Sequence, residues 1–144
     1  MKEQSLPITN VSHLIPQKKP FEMVSALLAF SETSITSSLT ITAQNILVTN
    51  HQLTEPGLVE NMAQTVALHT GYDYFLKGSP APIGYIGSIK KVIISSLPKV
   101  EETITTRAEI LHEFMGVTLV QVDIYNPNKE VIASGQMKTV IANQ

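Results

Sequence analysis

The stretch TEPGLVENMAQTVALHTG, residues 54–71, reads as a loop running into a helix, and it decides how the rest of the chain is arranged. Thr54 or a neighbour suits the cap, Pro56 suits the first turn, and Gly71 or Gly78 offers an end. No proline interrupts residues 57–79. Helical residues advance about 100° each. With Glu60 at the origin, Gln64, Ala67 and Gly71 share its side, while Leu58, Met62, Val66 and His69 gather opposite. Val59, Ala63 and Thr70 hold one flank, Asn61 and Leu68 the other. Apolar residues therefore nearly encircle the first turns, which predicts a buried helix rather than a surface one. Glu60 has two readings from the residues alone. It is a first-turn carboxylate favoured by the helix dipole, or a carboxyl kept protonated by burial and able to give up a proton.

Outward from the helix, the chain before it holds two apolar stretches. FEMVSALLAFS (21–31) is a short strand or a short helix, and periodicity leaves both open. TSITSSLTITA (33–43) alternates: Ile35, Ser37, Leu39 and Ile41 fall on one face, and Ser34, Thr36, Ser38, Thr40 and Thr42 on the other. That pattern predicts a half-buried strand. Residues 1–20, with Pro7, Pro16 and Pro20, form an irregular or briefly helical lead-in, and 45–57 a loop. After KGSPAP the chain changes character. Residues 83–97, 101–114, 117–126 and 130–142 all read as strands, and the breaks MG and NPNK are short enough for hairpins. Two strands, one long helix and four strands, without β–α alternation, give an α+β layout. The expectation is an antiparallel sheet of about five to six strands wrapped around one long central helix, in one domain over 1–144.

The bulk composition narrows the function classes. A chain of 144 residues suits one domain. A net charge of −2 offers no broad attraction to nucleic acid or to anionic membrane. The chain contains no cysteine, so disulfide and thiolate chemistry are excluded. The N-terminus lacks an apolar signal region and no apolar run has the length of a membrane span, so a cytoplasmic protein is expected. The four histidines show no helical metal spacing and no completing carboxylate, so no metal is expected. His13 and His112 read as structural or exposed, and His69 as a core or interface histidine. No nucleophile-elbow pattern is present. IGYIG (83–87) precedes a strand-like run, not a helix, so its glycines speak for close backbone approach rather than a phosphate cradle.

The string ENMAQTVALHTG (60–71) resembles the central-helix signature of hot-dog dehydratases that act on 3-hydroxyacyl carrier proteins: an acidic residue, two variable residues, then Ala-Gln. Here these are Glu60, Ala63 and Gln64. LIPQKKPFEMV (14–24) is similar to the N-terminal segment of those enzymes, and 83–104, with Pro98, to their third strand. Glu60, Met62, Ala63, Gln64 and His69 together fit the divergent branch associated with aryl-polyene and related pigment-like lipid pathways. The resemblance implies a hot-dog homodimer or higher homo-oligomer acting on acyl carrier protein or acyl-CoA thioesters. It implies no cofactor beyond the phosphopantetheine arm that carries the substrate. It implies substrate contacts at Gly57 and Leu58 by the helix start, at Gln64, which would also orient Glu60 or a water, and at Gly84 and Gly87 beside an acyl tunnel.

The chain also departs from the family pattern. The usual Gly-His-Phe-Pro loop is absent, and the nearest histidine is His51, nine residues before Glu60. Pro16-Gln17 stands where a Pro-His is usual, and Pro56-Gly57 sits closer to the carboxylate. Dehydration needs a base for the proton beside the carbonyl, an acid for the leaving hydroxyl and donors for the enolate-like oxygen. A neutral histidine suits the base, a protonated carboxyl the acid, and helix N-terminal N–H groups the oxygen. His51 and Glu60 are the pair this implies, with base and acid drawn from different subunits. Lys18, Lys19, Lys90 and Lys91 would meet an acidic carrier or simply aid solubility. Two alternatives stand beside dehydration: a thioesterase in which Glu60 activates water, and a partner subunit that binds acyl groups without catalysis.

Overall fold

The computed structural model describes residues 5–142, so the first four residues of the lead-in and the last two of the chain lie outside the described residues. The elements are β1 (Ala26–Phe30), β2 (Ser34–Thr40), β3 (Val48–Thr49), β4 (Gln52–Leu53), α1 (Glu55–Leu76), β5 (Gly84–Ile94), β6 (Thr103–Phe114), β7 (Val117–Tyr125) and β8 (Val131–Ile141). Six strands form one sheet in the order β1-β2-β6-β7-β8-β5. Every neighbouring pair in it is antiparallel. The helix packs on β2, β6, β7 and β5, and the sheet wraps it. This is the hot-dog architecture, and the open choice over 21–31 falls to a short strand.

The core forms where the alternating faces meet the helix. Ile104, Thr106 and Ala108 of β6 and Val120, Val122 and Ile124 of β7 point inward and are buried. They meet Leu58, Met62, Leu68 and Tyr72 of α1, which are buried as well. Each such aliphatic side chain contributes about 1.5–3 kcal/mol relative to an exposed position. The helix has no polar stripe because the sheet and the N-terminal arm cover it from most directions.

Both ends of α1 are set by local chemistry. Thr54 is extended at the N-cap (φ −79°, ψ 168°), but its hydroxyl does not cap. It donates instead to the Leu47 carbonyl at 2.7 Å, fastening the preceding loop. At the other end Gly78 takes φ +69°. Its N–H donates to the Phe75 carbonyl at 3.1 Å and the Ser79 N–H to Tyr74 at 3.0 Å. That is a Schellman ending. Gly71, the other candidate end, lies inside the helix, where a Cβ would stand 1.8 Å from the Leu14 carbonyl oxygen. Its smallness admits the N-terminal arm.

The loop over 45–57 contains a feature that its composition does not announce. β3 and β4 form a minimal hairpin whose turn residues Asn50 and His51 have φ 54° and 60°. This is the left-handed pair of a type I′ turn, built here with His in place of the usual Gly.

Candidate functional site

Glu60 sits half-buried on α1, one turn into the helix. The Gln64 amide nitrogen lies 3.0 Å from a Glu60 carboxyl oxygen. Gln64 is fully buried. Its nitrogen also donates to the Phe21 carbonyl at 2.8 Å, and its oxygen accepts from the Met23 N–H at 2.6 Å. The Met23 contact fixes the amide: turned over, its NH₂ would face another donor. Gln64 therefore presents an N–H to Glu60 in any ionisation state of the carboxyl.

A second set of buried polar groups secures the same arm. Asn61 donates to the Met23 carbonyl at 2.7 Å and accepts from the Thr106 hydroxyl at 2.6 Å. Thr65 donates to the Asn61 carbonyl at 2.8 Å and meets the Ser37 hydroxyl at 2.7 Å. Asn61, Gln64, Thr65, Thr106 and Ser37 are all buried. The arm over 21–23, the helix and two strands are thus joined by matched donors and acceptors, which makes the carboxylate's surroundings rigid.

The expected helix-start contacts are placed as follows. Gly57 is buried, and a Cβ there would come 2.5 Å from the Leu53 side chain. Leu58 has its side chain in the core and its N–H on the Thr54 carbonyl at 3.1 Å. His51 occupies the tip of the β3–β4 hairpin and is exposed. It borders a cavity of about 470 Å³ with Asn50, Gln52, Lys99, Val100 and Glu101. Neither Glu60 nor any other helix residue lines that cavity.

A second cavity, of about 460 Å³, runs along the helix face that continues from Glu60. Ala63, Val66, Ala67, Thr70 and Gly71 form its helical wall, residues 13–17 of the arm one side, and the start of β5 with the end of β8 the other. Gly84 lines it directly. Gly87 lies just beyond, where a Cβ would meet the Val140 side chain at 3.3 Å. The wall is mainly apolar, and its small helix residues leave room for an extended chain.

The remaining histidines and lysines have local partners or none that bear on chemistry. His69 stacks on Phe30 at 4.9 Å and its Nε2 lies 2.8 Å from the Ser31 carbonyl. His13 meets Phe75 edge-on at 5.3 Å, at the border of the groove. His112 is exposed and stacks on Phe114. Lys18 is committed to the Ser12 and Ile15 carbonyls, whereas Lys19, Lys90 and Lys91 are exposed. Among the described residues no three His, Asp or Glu side chains converge as a metal site. No helix among them is long and apolar enough to cross a membrane.

Sequence reasoning missed Asn61, Thr65 and Thr106. Their polar side chains lie at otherwise apolar positions of the helix and of β6, and a buried polar residue demands a partner. That is a signal that something is tied there, though not what.

The fold is shared by several solved structures. The dehydratase heterocomplex ApeI:P from Xenorhabdus doucetiae superposes with a TM-score of 0.85 over 98% of this chain and 94% of that one, at 14% identity. The E. coli PaaI protein from the phenylacetic acid degradation operon gives 0.66 over 81% and 78%, at 13% identity. A hypothetical thioesterase with coenzyme A from Streptococcus pneumoniae TIGR4 gives 0.66 over 82% and 85%, at 13% identity. No curated protein matches the chain by sequence. A family model described as ApeP-like, ApeP dehydratase, matches residues 9–144. With the helix signature around Glu60 in place, the chain belongs to the ApeP-like dehydratase family.

Proposed function

We propose that this chain eliminates water from a 3-hydroxyacyl thioester carried on a phosphopantetheine arm, leaving a 2-enoyl thioester, with Glu60 as the general acid. The observation that carries the reading is the Glu60 carboxyl, held by a fixed Gln64 donor and placed three residues ahead of Ala63, where the apolar groove begins. A base takes the proton from C2. The C3–O bond breaks, and the departing hydroxyl takes the Glu60 proton and leaves as water. Gln64 then donates to the carboxylate so formed, and charge-assisted hydrogen bonds of this kind are the stronger ones. In this reading Gln64 is a positioning residue, Gly57 at the helix start serves the thioester oxygen, and the acyl chain runs along the groove past Gly84.

In this reading the base is His51 of a second hot-dog chain; its exposed place at the hairpin tip, bordering a cavity that no helix residue lines, supports a contribution across an interface. β5 is the edge strand at one side of the sheet, and Tyr85, Ile89 and Ile93 along it are exposed. A long apolar edge calls for a partner, and edge-to-edge pairing of two such sheets supplies one. The second chain is a copy of this one or a related subunit; the solved ApeI:P assembly is a heterocomplex. The substrate is presented by acyl carrier protein or coenzyme A, in the cytoplasm, to one hot-dog domain spanning 1–144.

The test is a product assay on 3-hydroxyacyl and saturated acyl thioesters of a carrier protein, followed by mass spectrometry. Loss of water from the hydroxyacyl group supports dehydration. Free acid from both supports hydrolysis with Glu60 activating water. Neither product, with the acyl group still bound, supports a non-catalytic subunit.

A further inference from the structure

We propose that the apolar groove sets the length of the acyl chain, with the crossing of Leu14 over Gly71 as its stop, and that it takes straight acyl groups of about 12 carbons. The inference rests on the groove being the acyl site. Ala63, Ala67 and Gly71 follow one another at four-residue steps along one strip of α1, and all three border the groove. What stands over them differs. Ala63 and Ala67 are half-buried, whereas Gly71 is buried. At Gly71 the Leu14 carbonyl oxygen occupies the place that a Cβ would take. The arm backbone therefore lies directly on the helix there and fills the space left open over the two alanines. Leu14 is itself buried, and among the described residues no helix position beyond Gly71 lines the groove.

The other walls are fixed near the same end. The Leu14 carbonyl faces Gly71 and the Phe21 carbonyl is bound to Gln64, so the arm runs antiparallel to the helix. Beyond the crossing it stays on the helix, with His13 edge-on to Phe75 at 5.3 Å. The connection from the helix end into β5 supplies the opposite bank, through Pro82 and Ile83. The Ser79 N–H binds it to the Tyr74 carbonyl at 3.0 Å, and the Ile83 carbonyl accepts from the Ala142 N–H at 2.8 Å. By the helical rise, Ala63 to Gly71 is about 12 Å. An extended alkyl chain advances about 1.25 Å per carbon, from single bonds of about 1.5 Å at tetrahedral angles. The groove from Ala63 to the crossing then holds about nine carbons. With C3 at Glu60 and the thioester ahead of it, the whole acyl group has about 12. Methylenes short of the crossing gain by leaving water, and those beyond it must turn back out past Leu14.

The test is binding to the purified full-length protein, by calorimetry, of pantetheine and of the octanoyl, dodecanoyl and hexadecanoyl amides of aminopantetheine, which neither dehydrate nor hydrolyse. The wild type is expected to bind the dodecanoyl probe at least about tenfold more tightly than the octanoyl one, since more methylenes leave water. The hexadecanoyl probe is expected to bind no more than about threefold more tightly than the dodecanoyl one, because its extra carbons find no wall. Ala67→Leu fills the groove about 6 Å short of the crossing and is expected to erase the dodecanoyl advantage. Thr70→Leu, at the far end of the same wall, serves as a second variant should the first disturb folding, and is expected to reduce that advantage. A gain from dodecanoyl to hexadecanoyl as large as that from octanoyl to dodecanoyl overturns the stop and leaves the groove reading intact. A dodecanoyl advantage unchanged in both variants places the chain elsewhere and overturns it too. If no acyl probe binds better than pantetheine alone, the groove is not an acyl site and both readings fall.

Discussion

Gln64 donates to Glu60 at 3.0 Å across one helical turn, and the same amide is locked by the backbone of Phe21 and Met23. The carboxyl that the family signature singles out is therefore oriented by the arm that leads into the sheet. Replacing Gln64 with Met keeps much of the volume but leaves the Phe21 carbonyl and the Met23 N–H unpaired. A loss of about 2–4 kcal/mol in unfolding free energy is expected from urea titration, since each unpaired buried group costs about 1–3 kcal/mol. On the dehydration reading, kcat should fall at least tenfold with KM little changed, because the donor acts on the acid and not on the bound chain.

Asn61 and Thr106 offer a milder test of the same network away from the carboxyl. Thr106→Val removes the hydroxyl that reaches the Asn61 oxygen at 2.6 Å. A destabilisation of about 1–2 kcal/mol is expected, measured as a lower urea midpoint with an unchanged slope. Turnover per folded molecule should fall much less than in Gln64→Met, since Thr106 reaches Glu60 only indirectly, through Asn61, Met23 and Gln64.

The two glycines at the end of the helix should respond differently. At Gly71 an added methyl would meet the Leu14 backbone carbonyl at 1.8 Å, so Gly71→Ala must push the arm off the helix. A cost of about 2–3 kcal/mol and a displaced groove wall are expected, read as a lowered melting temperature and weakened acyl binding. At Gly78, φ is +69° and nothing lies within 4 Å of the added carbon. Gly78→Ala should cost about 1 kcal/mol through backbone strain alone and leave acyl binding unchanged.

Pairing along β5 has its own signature. The bonds of β5 to β8 leave its other edge facing away from the sheet. If a second sheet adds there, the outward amides of Ser88–Ile93 should exchange slowly with deuterium and the protein should elute as a dimer or larger. An edge left free in solution would exchange those amides rapidly, in contrast to neighbours bonded to β8.

Much of this was legible from residue patterns, for physical reasons that differ by element. β6 and β7 alternate because one face meets the helix and the other meets water, so their periods show plainly. The helix was legible from the ring of apolar residues around Glu60, though not its end. Gly71 is there for the close approach of Leu14, a tertiary requirement, while the helix stops through the left-handed Gly78. The β3–β4 hairpin was hidden because its turn uses Asn50-His51, not a glycine dipeptide. At the candidate site, Glu60 and Gln64 were singled out by the family signature, and the structure joins them by a hydrogen bond. Asn61 and Thr106 were not, since they lie 45 residues apart and only the fold makes them partners. On the dehydration reading, the meeting of His51 with Glu60 is likewise a matter of assembly, which no spacing within one chain encodes.

The central claim is that Glu60 delivers the proton to the leaving hydroxyl. Its most direct measurement is single-turnover conversion of a 3-hydroxyacyl carrier protein by wild type and Glu60→Gln, followed by the loss of water in the product mass. Wild type should yield the enoyl thioester, and Glu60→Gln should bind the acyl group and stay folded yet slow dehydration by about 10²-fold or more, the scale of general acid catalysis. Dehydration by Glu60→Gln at the wild-type rate would contradict it.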